Sequence, residues 1–261
     1  MQSLNISATG MLAQEMNVQV LANNIANVNT TGFKRQRAEF QDLLYQTLER
    51  VAPVSSDPGV SVPAGVQLGT GVELSSTYRV HEQGGMQMTD NPMDLALDGR
   101  GFFQIELPNG DTAYTRAGEF QLNAQGEIVT PEGFRLIGPG PVPVDATDVG
   151  INAEGRIFVT LAGQEEPSDA GQIELAAFAN EGGLEALGDN LFVQTVASGQ
   201  PTTGAPGTEG LGTIKQGMLE ASNVDIIGEI TQLIAAQRAY EMNAKVVKIS
   251  DDMMQSTNNL R

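Results

Sequence analysis

Apolar positions along the chain follow two periods. Near the N-terminus Leu4, Met11, Val18 and Ile25 recur every seven residues, joined by Ala8, Leu21, Ala22 and Val28. Near the C-terminus Ile226, Leu233, Tyr240, Val247 and Met254 do the same, joined by Ile230 and Ala244. That spacing keeps a stripe on one side of an α-helix, so each end predicts a helix of about four to five heptads. The first pattern stops at Asn29-Thr30-Thr31-Gly32, where Gly32 suits a left-handed helix cap. The second begins after Glu220-Ala221-Ser222-Asn223: Ser222 or Asn223 can cap it, and Asp225 or Glu229 suits the helix dipole. Gln14, Gln237, Asp251 and Asn258 fall on or near the stripes. Stripes on ordinary surface helices would pack on the chain's own core. Terminal placement, length and the polarity of the remaining faces favour burial against other chains.

Between the ends the pattern changes. Residues 33–48 read as a short helix with Phe40, Leu43, Leu44 and Leu48 on one face. Residues 51–71, with Pro53, Pro58, Pro63, Gly59, Gly65, Gly69 and Gly71, read as a loop. On composition it reads as a floppy linker or, since three prolines restrict its backbone and Asp57 is its one charge, as an extended connector. Beyond it come short alternating runs broken by turn signals. Gly101-Phe102-Phe103-Gln104-Ile105 is followed by Asn109-Gly110, and Glu119-Phe120-Gln121-Leu122 by Asn123-Ala124-Gln125-Gly126. A second such turn, Asn152-Ala153-Glu154-Gly155, precedes Arg156-Ile157-Phe158-Val159. The fold class expected is α+β: a discontinuous helical coiled coil from residues 1–35 with 218–261, a connector at 36–71, and an all-β barrel-like or sandwich-like domain at 72–217.

Composition narrows the function. In 261 residues there are 32 acidic side chains against 14 Lys and Arg, a net charge of -18, which disfavours a nucleic-acid partner. No lysine or arginine precedes Lys34, so the charged region of a cleaved secretion signal is missing, and no apolar run is long enough to span a membrane. Those two facts alone predict a soluble cytoplasmic chain. There is no cysteine, and the only histidine, His81, falls in an expected exposed turn, His81-Glu82-Gln83-Gly84-Gly85. A zinc site of the common kinds and a serine triad therefore lack their parts. Glu165-Glu166 and Asp251-Asp252 read as solvated faces of an acidic chain. Gly207-Thr208-Glu209-Gly210-Leu211-Gly212 lacks the ending of a phosphate loop. Lys34-Arg35-Arg37 reads as a solvated helix start or, more sharply, as an inter-subunit ion-pair site. No catalytic, metal-binding or cofactor-binding residue is expected, and no enzyme activity.

Three motifs carry a resemblance. Ala22-Asn23-Asn24-Ile25-Ala26-Asn27-Val28-Asn29-Thr30-Thr31-Gly32-Phe33-Lys34 resembles the N-terminal signature of the flagellar rod and hook family. Ser222-Asn223-Val224-Asp225 with Gln237-Arg238-Ala239-Tyr240-Glu241, Asn243, Ala244 and Lys245 resembles its C-terminal signature. Gly101–Ile105 and Tyr114-Thr115-Arg116-Ala117-Gly118-Glu119-Phe120 resemble its central domain. The middle is too small for a hook member. Asp42-Leu43-Leu44-Tyr45-Gln46-Thr47-Leu48 leading to Leu68-Gly69-Thr70-Gly71-Val72 is similar to the distal-rod branch, with the proximal rod as nearest alternative.

The resemblance implies a structural subunit that leaves the cell unfolded through the flagellar type III export apparatus and polymerises helically into a hollow, rigid drive shaft. Implied partners are copies of itself, proximal rod proteins, the hook protein, the peptidoglycan-ring and outer-membrane-ring proteins, and a rod cap. The cytoplasmic expectation is then replaced by the basal body. Subunit packing would fall to Leu4, Met11, Val18, Leu21, Ile25, Ile226, Ile230, Leu233, Tyr240, Val247 and Met254, and connector contacts to Pro53, Pro58 and Pro63. A secreted adhesin remains the alternative outside the family, and it predicts a monomer.

Overall fold

Helix α1 (Gln2–Ala26) and helix α2 (Ile226–Asn259) stand where the two heptad patterns predict them. The structure is a computed structural model that describes residues 2–49, 66–143, 145–161, 167–208 and 210–259. Pro53, Pro58 and Pro63 lie outside the described residues. The chain divides into two compact units: Met1–Ile25 with Gln36–Tyr78 and Ile226–Arg261, and Ala26–Arg35 with Arg79–Asp225.

In the first unit α1 and α2 run antiparallel. The hydroxyls of Ser3 and Ser250 lie 3.4 Å apart, Gly10 faces the side chain of Asn243, and Asn24 bonds Glu229 at the opposite end. The helix expected at 33–48 is instead two strands, Gln36–Asp42 and Tyr45–Glu49. The first pairs with Val72–Arg79, and the second pairs antiparallel with Val66–Gly69, placing Tyr45 opposite Gly69 and Gln46 opposite Leu68. Cross-strand partners outside the local window override the helical pattern, and Leu44 and Tyr45 are left exposed. Val66–Gly69 also corrects the end of the expected loop.

The second unit is strand-rich, and its hub is Phe102–Glu106. Thr112–Thr115 pairs along one edge of this strand. The other edge is shared, with Leu175–Ala177 opposite Phe102 and Phe103 and Arg135–Leu136 opposite Ile105 and Glu106. The nine-stranded sheet built from this fork runs from Glu185–Gly188 to Gln121–Leu122 and does not close. The barrel expectation is thus corrected. An edge divided between two partners, continued by strands of two or three residues, cannot carry one ladder round to its start. A three-stranded sheet (Ala146–Ile151, Arg156–Leu161, Ser168–Gln172) and two strand pairs, Leu95–Asp98 with Thr213–Gln216 and Met86–Met88 with Met218–Glu220, complete the unit among the described residues.

Both faces of the hub strand are covered. Phe103 and Ile105 join Leu95, Leu97, Phe120, Ile157 and Leu175 in the larger core. Phe102, one residue out of phase, joins Tyr114, Phe178, Leu184 and Phe192 in the smaller one. A strand buried on both sides reads as an unbroken apolar run, which is why Phe102 and Phe103 are adjacent. The two Asn-Ala-x-Gly turns have the same hydrogen bonds. Asn123 Oδ1 accepts from the amides of Gln125 and Glu127, and Asn152 Oδ1 from those of Glu154 and Arg156. Each closes on a glycine of positive φ, Gly126 and Gly155.

Gly118 has an ordinary φ but no room. A Cβ there would sit 1.6 Å from the carbonyl oxygen of Leu95, whose amide donates to Gly118 O at 2.9 Å. Gly118→Ala is expected to destabilise the strand-rich unit by about 3 kcal/mol. Urea unfolding of the variant beside the unaltered protein measures it.

Candidate assembly surface and its buried ion-pair node

The line along which α1 and α2 meet is small and polar. Ser3, Gly10, Asn17 and Asn24 recur every seven residues on α1, and Glu229, Ala236, Asn243 and Ser250 do so on α2. Ser7, Ala13, Leu21 and Asn24 are buried on one helix and Glu229, Ala236 and Ser250 on the other. Large apolar side chains lie on the flanks: Ile6, Leu12 and Met16 of α1, and Ile227, Ile234, Met242, Val246, Ile249 and Met253 of α2 are exposed, Ile227 by 78 %. Of the positions expected to pack between subunits, Leu21 is buried. Leu4, Met11, Val18, Ile25, Leu233 and Val247 are half-buried, and Ile226, Ile230, Tyr240 and Met254 are exposed. Large apolar residues dominate the helical pattern and mask the small-residue line. Its signal was present in the sequence as a second heptad of Ser, Gly, Asn and Ala.

The second unit holds a different polar feature. Lys34 and Glu220 are both fully buried, with Lys34 Nζ 2.5 Å from Glu220 Oε1. Lys34 also donates to the carbonyl of Glu82 at 2.8 Å. Glu220 accepts from the amide of Gly84 at 2.8 Å and from Arg116 Nη1 at 3.4 Å. Lys34 is therefore neither a solvated helix start nor an ion-pair site facing another subunit; its partner is in its own chain. Arg35 and Arg37 do lie nearer solvent. Burial lowers the pKa of Lys34, an effect opposed by Glu220, and burial likewise lowers that of Arg116.

Two expected helix caps are also reassigned. α1 ends at Ala26, and Gly32 belongs to the turn that follows. Its φ of 67° and its close approach to Arg116 and Ala117, where a Cβ would lie 2.7 Å from the Ala117 amide, require glycine there. Asn223 is a bridge and not a cap. Its Oδ1 accepts from the Arg35 amide at 2.8 Å and its Nδ2 donates to the carbonyls of Val80 and Glu82.

His81, expected in an exposed turn, is half-buried. Its ring meets those of Phe102 and Phe192 edge-on at 5.7 and 5.8 Å, and its Nδ1 is buried without a hydrogen-bond partner. Arg116 and Arg79 lie over the same two phenyl rings. Burial, then the positive charges of Lys34, Arg116 and Arg79, push the imidazole pKa down to about 4. No nucleophile or second base accompanies it in these contacts, and no cluster of His, Asp or Glu suited to a metal occurs among the described residues. No helix of the described residues is long and apolar enough to cross a membrane.

Paired terminal helices with uncovered apolar flanks and a strand-rich middle define a structural subunit made to associate. Comparison with known proteins gives the particular kind. Residues 4–34 match the family described as Flagella basal body rod protein, residues 96–159 the Flagellar hook protein FlgE/F/G D1 domain, and residues 215–260 the Flagellar basal body rod FlgEFG protein C-terminal. The flagellar basal-body rod protein FlgG of Caulobacter vibrioides is 57 % identical over all of both chains. That of Agrobacterium fabrum is 49 % identical over 97 % of each. The rod protein FlgF of Caulobacter vibrioides is 36 % identical over 97 % of this chain and 95 % of its own. The chain belongs to the flagellar basal-body rod protein family.

Removing one member of the buried node should cost far more than a surface pair would. Glu220→Gln leaves two cations without their anion and is expected to lower stability by about 3–5 kcal/mol in denaturant unfolding.

His81 gives a pH dependence of definite sign. Its folded pKa lies below the ordinary value, so above about pH 6.5 both folded and unfolded states hold it neutral and stability is complete. As pH falls from there toward 4, the unfolded state takes up a proton that the folded state refuses, and about 2–3 kcal/mol is lost. The difference in unfolding free energy between the unaltered protein and His81→Phe, followed from pH 7 to pH 4, should show this slope.

Proposed function

We propose that this chain is the distal-rod subunit of the flagellum, polymerising helically into the hollow shaft that transmits torque from motor to hook. Its greater identity to FlgG than to FlgF of one organism supports the distal over the proximal position. The observation that carries the assembly reading is the pair of uncovered apolar flanks on α1 and α2. A soluble monomer gains nothing from exposing Ile227, Leu12 and Met242, whereas neighbouring copies would cover them. In the polymer α1 and α2 would bundle as a coiled coil lining the inner tube, with the β-rich region at 72–217 outside. The connector at 36–71 would lie between adjacent subunits, with Pro53, Pro58 and Pro63 stiffening it. Partners at the ends and around the shaft would be proximal rod proteins, hook protein, the two ring proteins and a rod cap. Delivery would be through the type III export apparatus, and the shaft would cross the periplasm toward the outer membrane.

Ile230 provides the test because it is exposed within the chain. Ile230→Asp should leave the subunit folded, with unchanged circular dichroism. It should abolish polymerisation, since each copy would bury an unpaired carboxylate at a cost of several kcal/mol. Rods of normal yield from this variant in electron micrographs would refute helix packing as the basis of assembly.

A further inference from the structure

The contact line between α1 and α2 has a weakness. Its residues are small or polar and repeat every seven positions on both helices, so sliding one helix by a heptad places small residues opposite small ones again. In the observed register Ser3 meets Ser250, Gly10 meets Asn243 and Asn24 meets Glu229, residue numbers that sum to 253 each time. A slip to a sum of 246 would put Ser3 at Asn243, Gly10 at Ala236 and Asn17 at Glu229. Each of these pairs again sets a small or polar side chain against another, and Asn17 would offer Glu229 the same amide. Low ridges of Ser, Gly and Ala do not interlock strongly enough to choose between two such states.

One feature does distinguish them. Asn24 is 1 % and Glu229 4 % exposed. The Asn24 side-chain amide uses both hydrogens: Nδ2 donates to Glu229 Oε2 at 3.1 Å and to the backbone carbonyl of Gln36 at 2.8 Å. Its Oδ1 accepts from the Gln36 amide, also at 2.8 Å. Asn24 thus ties together the last turn of α1, the first turn of α2 and the first residue of the strand Gln36–Asp42. Asn17, in mid-helix, has no such strand end to bond. A slip would carry Glu229 away from Asn24 and leave one hydrogen of this buried amide without its acceptor, a penalty on one register only.

We infer that Asn24 and Glu229 are register-setting residues of the helix pair, acting through position and not through net stability. The same use of a buried polar residue is known for helical bundles, where one asparagine selects alignment while lowering stability. The register matters because it decides which exposed apolar residues of α1 lie level with which of α2. A heptad slip shifts the two flanks by about 10.5 Å and changes the surface offered to a neighbouring copy. This last consequence rests on the proposed rod assembly; the register itself does not.

The chain contains no cysteine, so disulfide trapping reports register without background. Ser3→Cys with Ser250→Cys reads the observed alignment, and Ser3→Cys with Asn243→Cys reads the slipped one. With Asn24 and Glu229 intact, only the first pair should close. In the Asn24→Leu, Glu229→Leu double variant the yield of the slipped disulfide should rise at least ~tenfold, while helicity and the unfolding midpoint are kept or raised. Glu229→Gln, which retains an acceptor, should keep the observed alignment. The inference is overturned if the slipped pair stays open in the double variant, because the covalent connections of the helices would then suffice. It is equally overturned if the double variant loses its helices, or if Glu229→Gln slips as freely. Filaments of the double variant should lose long-range helical order in electron micrographs. Absence of filaments from the unaltered protein would count against the rod assembly and leave the cross-linking result intact.

Discussion

The strand-rich unit depends on one buried carboxylate. Burying Glu220 and Lys34 together is costly, since each leaves water, and attraction between the two alone would roughly offset that cost. The arrangement holds because Glu220 is satisfied several times over, by Lys34, Arg116 and the Gly84 amide. Two segments separated by 186 positions are thereby fixed side by side within the unit, one following α1 in the chain and the other preceding α2. Asn223 repeats the connection a few residues on, through Arg35, Val80 and Glu82. The node holds more positive than negative charge, so a further cation is unwelcome. His81 lies against it and remains neutral for that reason as well as through burial.

The helix pair follows the opposite logic. Its interior line is small and hydrogen-bonded, while its large apolar groups look outward. Such a pair encloses little hydrophobic surface of its own, and most helical stability in proteins comes from burying an apolar face. The two units therefore divide the work of the chain. One is self-sufficient in its core, and the other leaves large apolar side chains exposed.

How much of this was legible in the sequence varied with the range of the interaction that decided it. The terminal helices, the paired Asn-Ala-x-Gly turns and the apolar run at Phe102 and Phe103 are settled by neighbours a few residues apart, and they were readable. The strands Gln36–Asp42 and Tyr45–Glu49 were not, because their partners Val72–Arg79 and Val66–Gly69 lie across the connector. The open edge of the nine-stranded sheet depends on how Leu175–Ala177 and Arg135–Leu136 share one strand, which no local pattern records. The same reason hid Lys34. A lysine between glycine, phenylalanine and two arginines looks solvated until its anion, far along the chain, is placed against it. The line of small residues was hidden for another reason: a heptad of large apolar residues lies beside it and is the stronger pattern.

Those outward flanks have a thermodynamic consequence. Covering apolar surface lowers the heat capacity, and near room temperature the gain comes from released water and not from heat evolved. In the proposed assembly, association through Ile227, Ile234, Met242 and Ile249 would accordingly be entropy-driven, strengthening as the solution warms and weakening as it cools. A helix pair lined instead with hydrogen bonds on its outside would behave in the reverse sense. Temperature, no less than concentration, thus sets how readily this surface finds a partner.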